Sequence, residues 1–149
     1  MSKRAAAIAV IAFLGMVDAL FLAAAHGGPP VPCRIGGGCN DVLKSAYSTV
    51  AGIPLPWFGL AFYLFAFGLA VFELTGAGAM IRWLFWPAAA GFVVSLILVG
   101  VQAFVLHAYC EYCLASAAMV TTIFILAASY RWSAHRSAVN QADGSMVRS

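Results

Sequence analysis

The stretch Leu106–Val120 reads LHAYCEYCLASAAMV. Two cysteines, Cys110 and Cys113, stand three residues apart where one apolar run ends and another begins. Thiols in such a place bind a metal, carry electrons or fill space. The surrounding sequence has to decide among these.

Outward from that point the chain is oily. Of its 149 residues, 64% are hydrophobic and only 9% are charged, against roughly 25% charged in an average soluble domain. The mean hydropathy of +0.96 belongs to a membrane protein. A membrane-spanning helix needs about 20 apolar residues. Four stretches approach or exceed that: Ala5–Ala25, Trp57–Leu74, Trp83–Leu106 and Leu114–Tyr130. Backbone groups in lipid must be satisfied within the segment, so these runs are helices. Lys3, Arg4 and the Ala23–Ala25 run resemble a cleaved signal peptide. The apolar core is longer than a signal core, however, and holds Asp18, so the segment reads as a span. The sequence thus predicts an all-α integral membrane protein. It is a four-helix bundle (residues 1–132) followed by a polar, disordered tail (133–149).

An even number of spans puts both termini on one side. Lys3, Arg4, Arg82, Arg131, Arg136 and Arg148 fall there, against Arg34 and Lys44 on the other. Basic residues mark the cytoplasmic face. The expected placement is the plasma (inner) membrane with both termini inside. All four cysteines, Cys33, Cys39, Cys110 and Cys113, then lie outside, where disulfides persist.

The long outer loop reads HGGPPVPCRIGGGCNDVLKSAYSTVAGIPLP from His26 to Pro56. Gly36–Gly38 between Cys33 and Cys39 give a hinge that lets two sulfurs meet or part. Val42, Leu43, Ala46, Tyr47 and Val50 recur at helical spacing. They predict a short amphipathic helix over 41–50, capped by Asn40 or Asp41.

Residues three apart on a helix face the same way. Cys110 and Cys113 at a helix start also meet its partial positive charge, which favours a thiolate. Redox exchange explains both pairs: one on a mobile loop, one fixed at the membrane surface. Two alternatives stand beside it. One is a non-catalytic module with structural disulfides. The other is a zinc site built from four cysteines, although the Cys33–Cys39 spacing is looser than zinc ribbons use.

The order of these features resembles the bacterial members of the vitamin K epoxide reductase family. A first helix precedes the spaced pair Cys33 and Cys39. Ser45 follows six residues after Cys39, then Gly52-Ile53-Pro54, then Phe58-Gly59 opening the second span, then FVLHAYCEYCLAS. The similarity covers roughly residues 15–116. The other lineage with a comparable task, the disulfide-bond-forming protein B family, carries its two pairs in the reverse order. The resemblance implies a four-helix bundle around a quinone, ubiquinone or menaquinone. It implies a thiol oxidoreductase that makes disulfides in secreted proteins and takes electrons from a separate thioredoxin-fold dithiol protein. In those terms Cys33 exchanges with the partner, Cys39 passes electrons to Cys110, and Cys113 faces the quinone. Ser45 matches the family's loop hydroxyl near the active site. Lipid is the other expected partner, and no nucleic acid or metal is expected.

Large apolar side chains for the quinone are available at Phe58, Phe62, Tyr63, Phe65 and Phe104, with Phe58 and Phe62 best placed at the start of the second span. Asp18 lies about 10 Å along its helix from Ala25. Charges in a bilayer usually face a cavity or a partner, so Asp18 is a candidate to hydrogen-bond the ring or accept a proton. His107 is a candidate thiolate partner, and Glu111 adds negative charge beside the thiols. The vertebrate enzymes carry an asparagine and a tyrosine where this chain has Leu55 and Ala117. That departure argues against vitamin K epoxide as substrate.

Overall fold

The computed structural model describes residues 3–76 and 80–147. Arg148, counted above among the basic residues, and the end of the tail lie outside the described residues. The helices are α1 (Lys3–Ala25), α2 (Cys39–Lys44), α3 (Leu55–Leu74), α4 (Phe85–Val101) and α5 (Glu111–Val147). A 3-10 turn, Met80–Leu84, leads into α4, and a π-helical turn, Gln102–Leu106, follows it. Among the described residues, four helical segments are long and apolar enough to cross a membrane, as the hydropathy predicts. The chain is an all-α membrane protein.

Small residues let the helices approach. Ala5, Ala9, Ala12 and Ala19 on α1 are buried in one core with Ala66 and Ala70 of α3, Ala88 of α4 and Ala127 of α5. Without a hydrophobic driving force between helices in lipid, such close van der Waals packing holds a bundle together. Gly15 faces the ring of Tyr63 so closely that a Cβ there would collide with it. Tyr63 is fully buried, and its hydroxyl meets Ser116 Oγ at 2.8 Å and the Ser116 carbonyl at 3.0 Å. The α1–α3 pair is thereby tied to α5.

At one end of the bundle, Arg4 donates to the Ser129 carbonyl and to Ser133 Oγ. Arg131 there lies over the rings of Phe85 and Trp86. The long loop closes the other end. It differs from the expected single helix. α2 begins at Cys39 and ends after six residues, where the amide and hydroxyl of Ser45 both donate to the Val42 carbonyl. Gly38 occupies the N-cap, and Asn40 is used elsewhere: its side chain accepts from Val31 N–H and donates to Val31 C=O. A 3-10 turn (Ala46–Ser48) follows, then β1 (Thr49–Val50) pairs antiparallel with β2 (Ile53–Pro54). Ala51 and Gly52 between them both have positive φ, the geometry of a two-residue hairpin turn. The helical spacing of Tyr47 and Val50 was therefore misleading: β-branched Thr49 and Val50 prefer the pleated chain.

The tail also differs. α5 runs on through Val147, with the part beyond Trp132 exposed where its burial is described. At 37 residues and a 1.5 Å rise it is about 55 Å long, well beyond a core of about 30 Å. Residues 133–143 hold no Pro or Gly, and their Ala, Arg and Gln residues are good helix formers. Polarity alone suggested disorder; the helix continues because nothing interrupts it.

Candidate active site

The bundle end under the loop gathers all four cysteines. Cys39, Cys110, Leu22, Val31 and Leu43 form a buried cluster, with Cys33, Cys113, Val42 and Tyr112 packed against it. Cys33 and Cys39 are joined by a disulfide. Cys110 and Cys113 are free. Cys39 and Cys110 have no exposed surface, while Cys33 is partly exposed. Among the described residues, no group of three or more His, Cys, Asp or Glu side chains is placed to hold a metal.

The loop is brought down by a close approach. A Cβ on Gly38 would stand 2.8 Å from both Ala108 Cβ and the Tyr109 nitrogen, so only glycine lets the backbone before Cys39 touch the backbone before Cys110. Gly36 and Gly37, with positive φ, make the turn between the two loop cysteines.

Cys110 is the cap of α5 rather than a member of its first turn. The Cys113 N–H donates to the Cys110 sulfur at 3.3 Å, the bond by which an N-cap side chain satisfies an otherwise unpartnered amide. The Cys113 thiol also donates to this sulfur. That bond, helped by the N–H groups of Cys113 and Tyr112, holds Cys110 below the ordinary thiol range, against burial and the charge of Asp18. In the reduced pair the negative charge therefore forms first on Cys110. The Glu111 carboxylate turns to the loop, where it accepts from Arg34 N–H and Ile35 N–H, each at 3.2 Å.

Gln102, which the sequence analysis did not single out, sits below Cys110. It is 3% exposed. Its Oε1 accepts from the Cys110 N–H at 3.0 Å, and its own carbonyl accepts from Ala108 N–H at 3.2 Å. The π-helical turn that ends at His107, itself in the left-handed region at φ 48°, places it there. Single π-turns recur at functional sites. An amide inside an apolar span was the signal available for finding it. His107 is exposed.

On the membrane side of the cysteines lies a cavity of about 440 Å³, within the size range of small-ligand sites. Cys113 lines it; Cys110 does not. Phe58, Phe62, Ser45 and Asp18 line it as well, whereas Phe65 and Phe104 lie elsewhere. The Ser45 hydroxyl is engaged with the Val42 carbonyl at 2.7 Å. One carboxylate oxygen of Asp18 is buried without a hydrogen-bond partner. Leu55 and Ala117, the positions where vertebrate enzymes are polar, are on the wall too, so that part of it is apolar here.

Two cysteine pairs thus lie in one cluster, and Cys113 of the inner pair opens onto the cavity. Residues 6–128 match the model of the vitamin K epoxide reductase family. No curated protein matches the chain. The chain belongs to the vitamin K epoxide reductase family, whose members are membrane oxidoreductases that use quinones and generally work with thioredoxin-like partners.

Proposed function

We propose that the protein oxidises the dithiol of a separate thioredoxin-fold protein and delivers the electrons to ubiquinone or menaquinone, so making disulfides for secreted proteins. The observation that carries this reading is the division of the inner pair: Cys113 lines the cavity while Cys110 is buried beside Cys39.

The sequence of exchanges follows from exposure. The partner's thiolate attacks Cys33, the open sulfur of the loop disulfide, and Cys39 leaves as a thiolate. The partner's second thiol then releases Cys33 and leaves oxidised. Cys39 attacks Cys110 of the Cys110–Cys113 disulfide, and Cys113 leaves as a thiolate on the cavity wall. Cys33 attacks Cys39, restoring the loop disulfide and freeing Cys110. This is the pairing of the described chain, with Cys33–Cys39 joined and the inner pair free. Exchange of this kind moves two electrons, and each 30 mV is worth about 1.4 kcal/mol.

A quinone fits the cavity by chemistry as well as size. The walls at Phe58 and Phe62 are aromatic, Cys113 supplies the reductant, and Asp18 has a carboxylate oxygen without a protein partner. Bound there, a quinone would take up two electrons as Cys110 and Cys113 rejoin as a disulfide, together with two protons. Asp18 holds or passes a proton at that oxygen, and Phe58 and Phe62 exclude water. Ser45 borders the site and fixes the end of α2.

In orientation, the end bearing Arg4 and Arg131 is cytoplasmic and the loop end extracytoplasmic, in the plasma membrane, on the strength of the basic residues. The test is to mix purified protein, ubiquinone or menaquinone and a reduced thioredoxin-fold oxidase and to follow quinone absorbance. Loss of the quinone band with the wild-type chain, and none with Cys110→Ala, is expected. Equal rates in both overturn the reading.

A further inference from the structure

The two residues between the inner cysteines both reach the loop, on either side of Cys33. Glu111 Oε1 and Oε2 accept from the N–H groups of Arg34 and Ile35. The Tyr112 hydroxyl donates to the Pro32 carbonyl at 3.1 Å. The Tyr112 ring meets Phe21 of α1 at 5.0 Å between centroids, which fixes the direction of its hydroxyl. Thus the first turn of the helix that carries the inner thiols also carries the groups that seat the loop disulfide.

A surface carboxylate at a helix start needs no such explanation by itself, since it complements the helix dipole. Here both oxygens are spent on the backbone of another segment, at neighbouring amides, and the next residue binds the same segment from the other side. Backbone groups make the contact, so it fixes the position of the chain around Cys33 whatever side chains Arg34 and Ile35 carry. Cys39 is left buried with Cys110 and Cys33 partly open.

We propose that Glu111 and Tyr112 are positioning residues for the internal exchange: they clamp the Cys33-bearing segment so that Cys39 stays within reach of Cys110 while Cys33 stays available to the partner. The inference rests on the exchange route given above. It assigns to the spacer of the Cys-x-x-Cys sequence a task in substrate relay, separate from any effect on the thiols themselves.

The test uses the full chain carrying Cys33→Ala and Cys113→Ala, which leaves Cys39 and Cys110. Oxidised glutathione takes up the two electrons as these thiols join: the Cys39–Cys110 bond forms, the glutathione disulfide breaks, and two molecules of reduced glutathione leave. The equilibrium against glutathione gives the effective concentration of one thiol at the other, which depends on how the connecting segment is held. Adding Glu111→Ala is expected to lower it about tenfold. Glu111→Gln, which keeps one acceptor oxygen, and Tyr112→Phe, which removes one donor, are expected to fall between. This equilibrium involves no quinone. In the chain with all four cysteines, Glu111→Ala should lower the ratio of protein-driven to small-dithiol-driven quinone reduction. If all three substitutions leave the glutathione equilibrium unchanged, the clamp is overturned and the exchange route stands. If Cys39 and Cys110 do not join even with Glu111 and Tyr112 intact, the route fails, and the clamp with it.

Discussion

The backbone N–H of Cys110 donates to the side-chain oxygen of Gln102 at 3.0 Å, with both residues buried. This bond links the turn after α4 to the cap of α5 and sets the height of the inner thiols over the cavity. Gln102→Leu keeps the volume and removes the oxygen. A buried amide left without a partner costs about 1–3 kcal/mol. Thermal unfolding in detergent should show that loss, and quinone reduction should slow with every dithiol donor. Gln102→Glu retains an acceptor and should recover most of the stability. A Leu variant as stable and as fast as the wild type removes Gln102 from the account.

Gly38 tests the seating of the loop from the opposite side. A methyl group there meets backbone and Cβ atoms rather than a flexible side-chain end. Overpacking of this kind costs about 1–3 kcal/mol. Gly38→Ala should therefore lift the loop and slow quinone reduction driven by a protein dithiol by about tenfold, the factor that each 1.4 kcal/mol represents. A small dithiol that reaches Cys110 and Cys113 directly should be affected less. Equal losses with both donors contradict the relay role of the loop.

The charge on the inner pair can be titrated. Cys110 is held below the ordinary thiol range chiefly by donation from Cys113. In a reduced Cys33→Ala/Cys39→Ala chain, ultraviolet thiolate absorbance should show one thiol ionising below the usual value of about 8.5. A depressed value means that the thiolate, and exchange that depends on it, persists as pH falls through the ordinary range and is lost only below the folded value. Adding Cys113→Ala removes the main cause and should move the titration upward. An unchanged titration assigns the shift to something other than Cys113.

Much of this arrangement was legible from residue types. The hydropathy of four runs marked four spans because lipid admits so few backbone solutions. The placing of Cys33, Cys39, Cys110 and Cys113 at one end followed from the alternation of those spans. What stayed hidden depended on contacts between distant segments. Glu111 read as a charge beside thiols, because nothing in the local sequence says that its oxygens meet the amides of Arg34 and Ile35. Gln102 read as one polar residue in a long span, and its meaning came from a π-helical turn that sequence spacing does not announce. Tyr47 and Val50 fitted a helical period by coincidence, and the positive φ of Ala51 and Gly52 resolved it as a hairpin. Phe58 and Phe62 reached the cavity wall while Phe65 and Phe104 did not, a distinction of helix face and helix end.

Orientation has its own test. A cysteine introduced at Ser137, in a chain whose native cysteines are otherwise reported separately, should resist a membrane-impermeant maleimide until the cells are opened. The reduced native Cys33 should react in intact cells. The reverse pattern overturns the orientation drawn from Lys3, Arg4, Arg82, Arg131 and Arg136.

The division of labour between Cys110 and Cys113 is most directly read in the visible spectrum with quinone present. Cys113 lines the cavity and Cys110 does not. In Cys110→Ala, Cys113 cannot form its disulfide, and the positive end of α5 should hold it as a thiolate. A thiolate against an electron-poor ring gives a charge-transfer band, so this variant with quinone should show a new visible absorption. Cys113→Ala should show none. A band in Cys113→Ala and none in Cys110→Ala would contradict the assignment and reverse the order of electron flow through the inner pair.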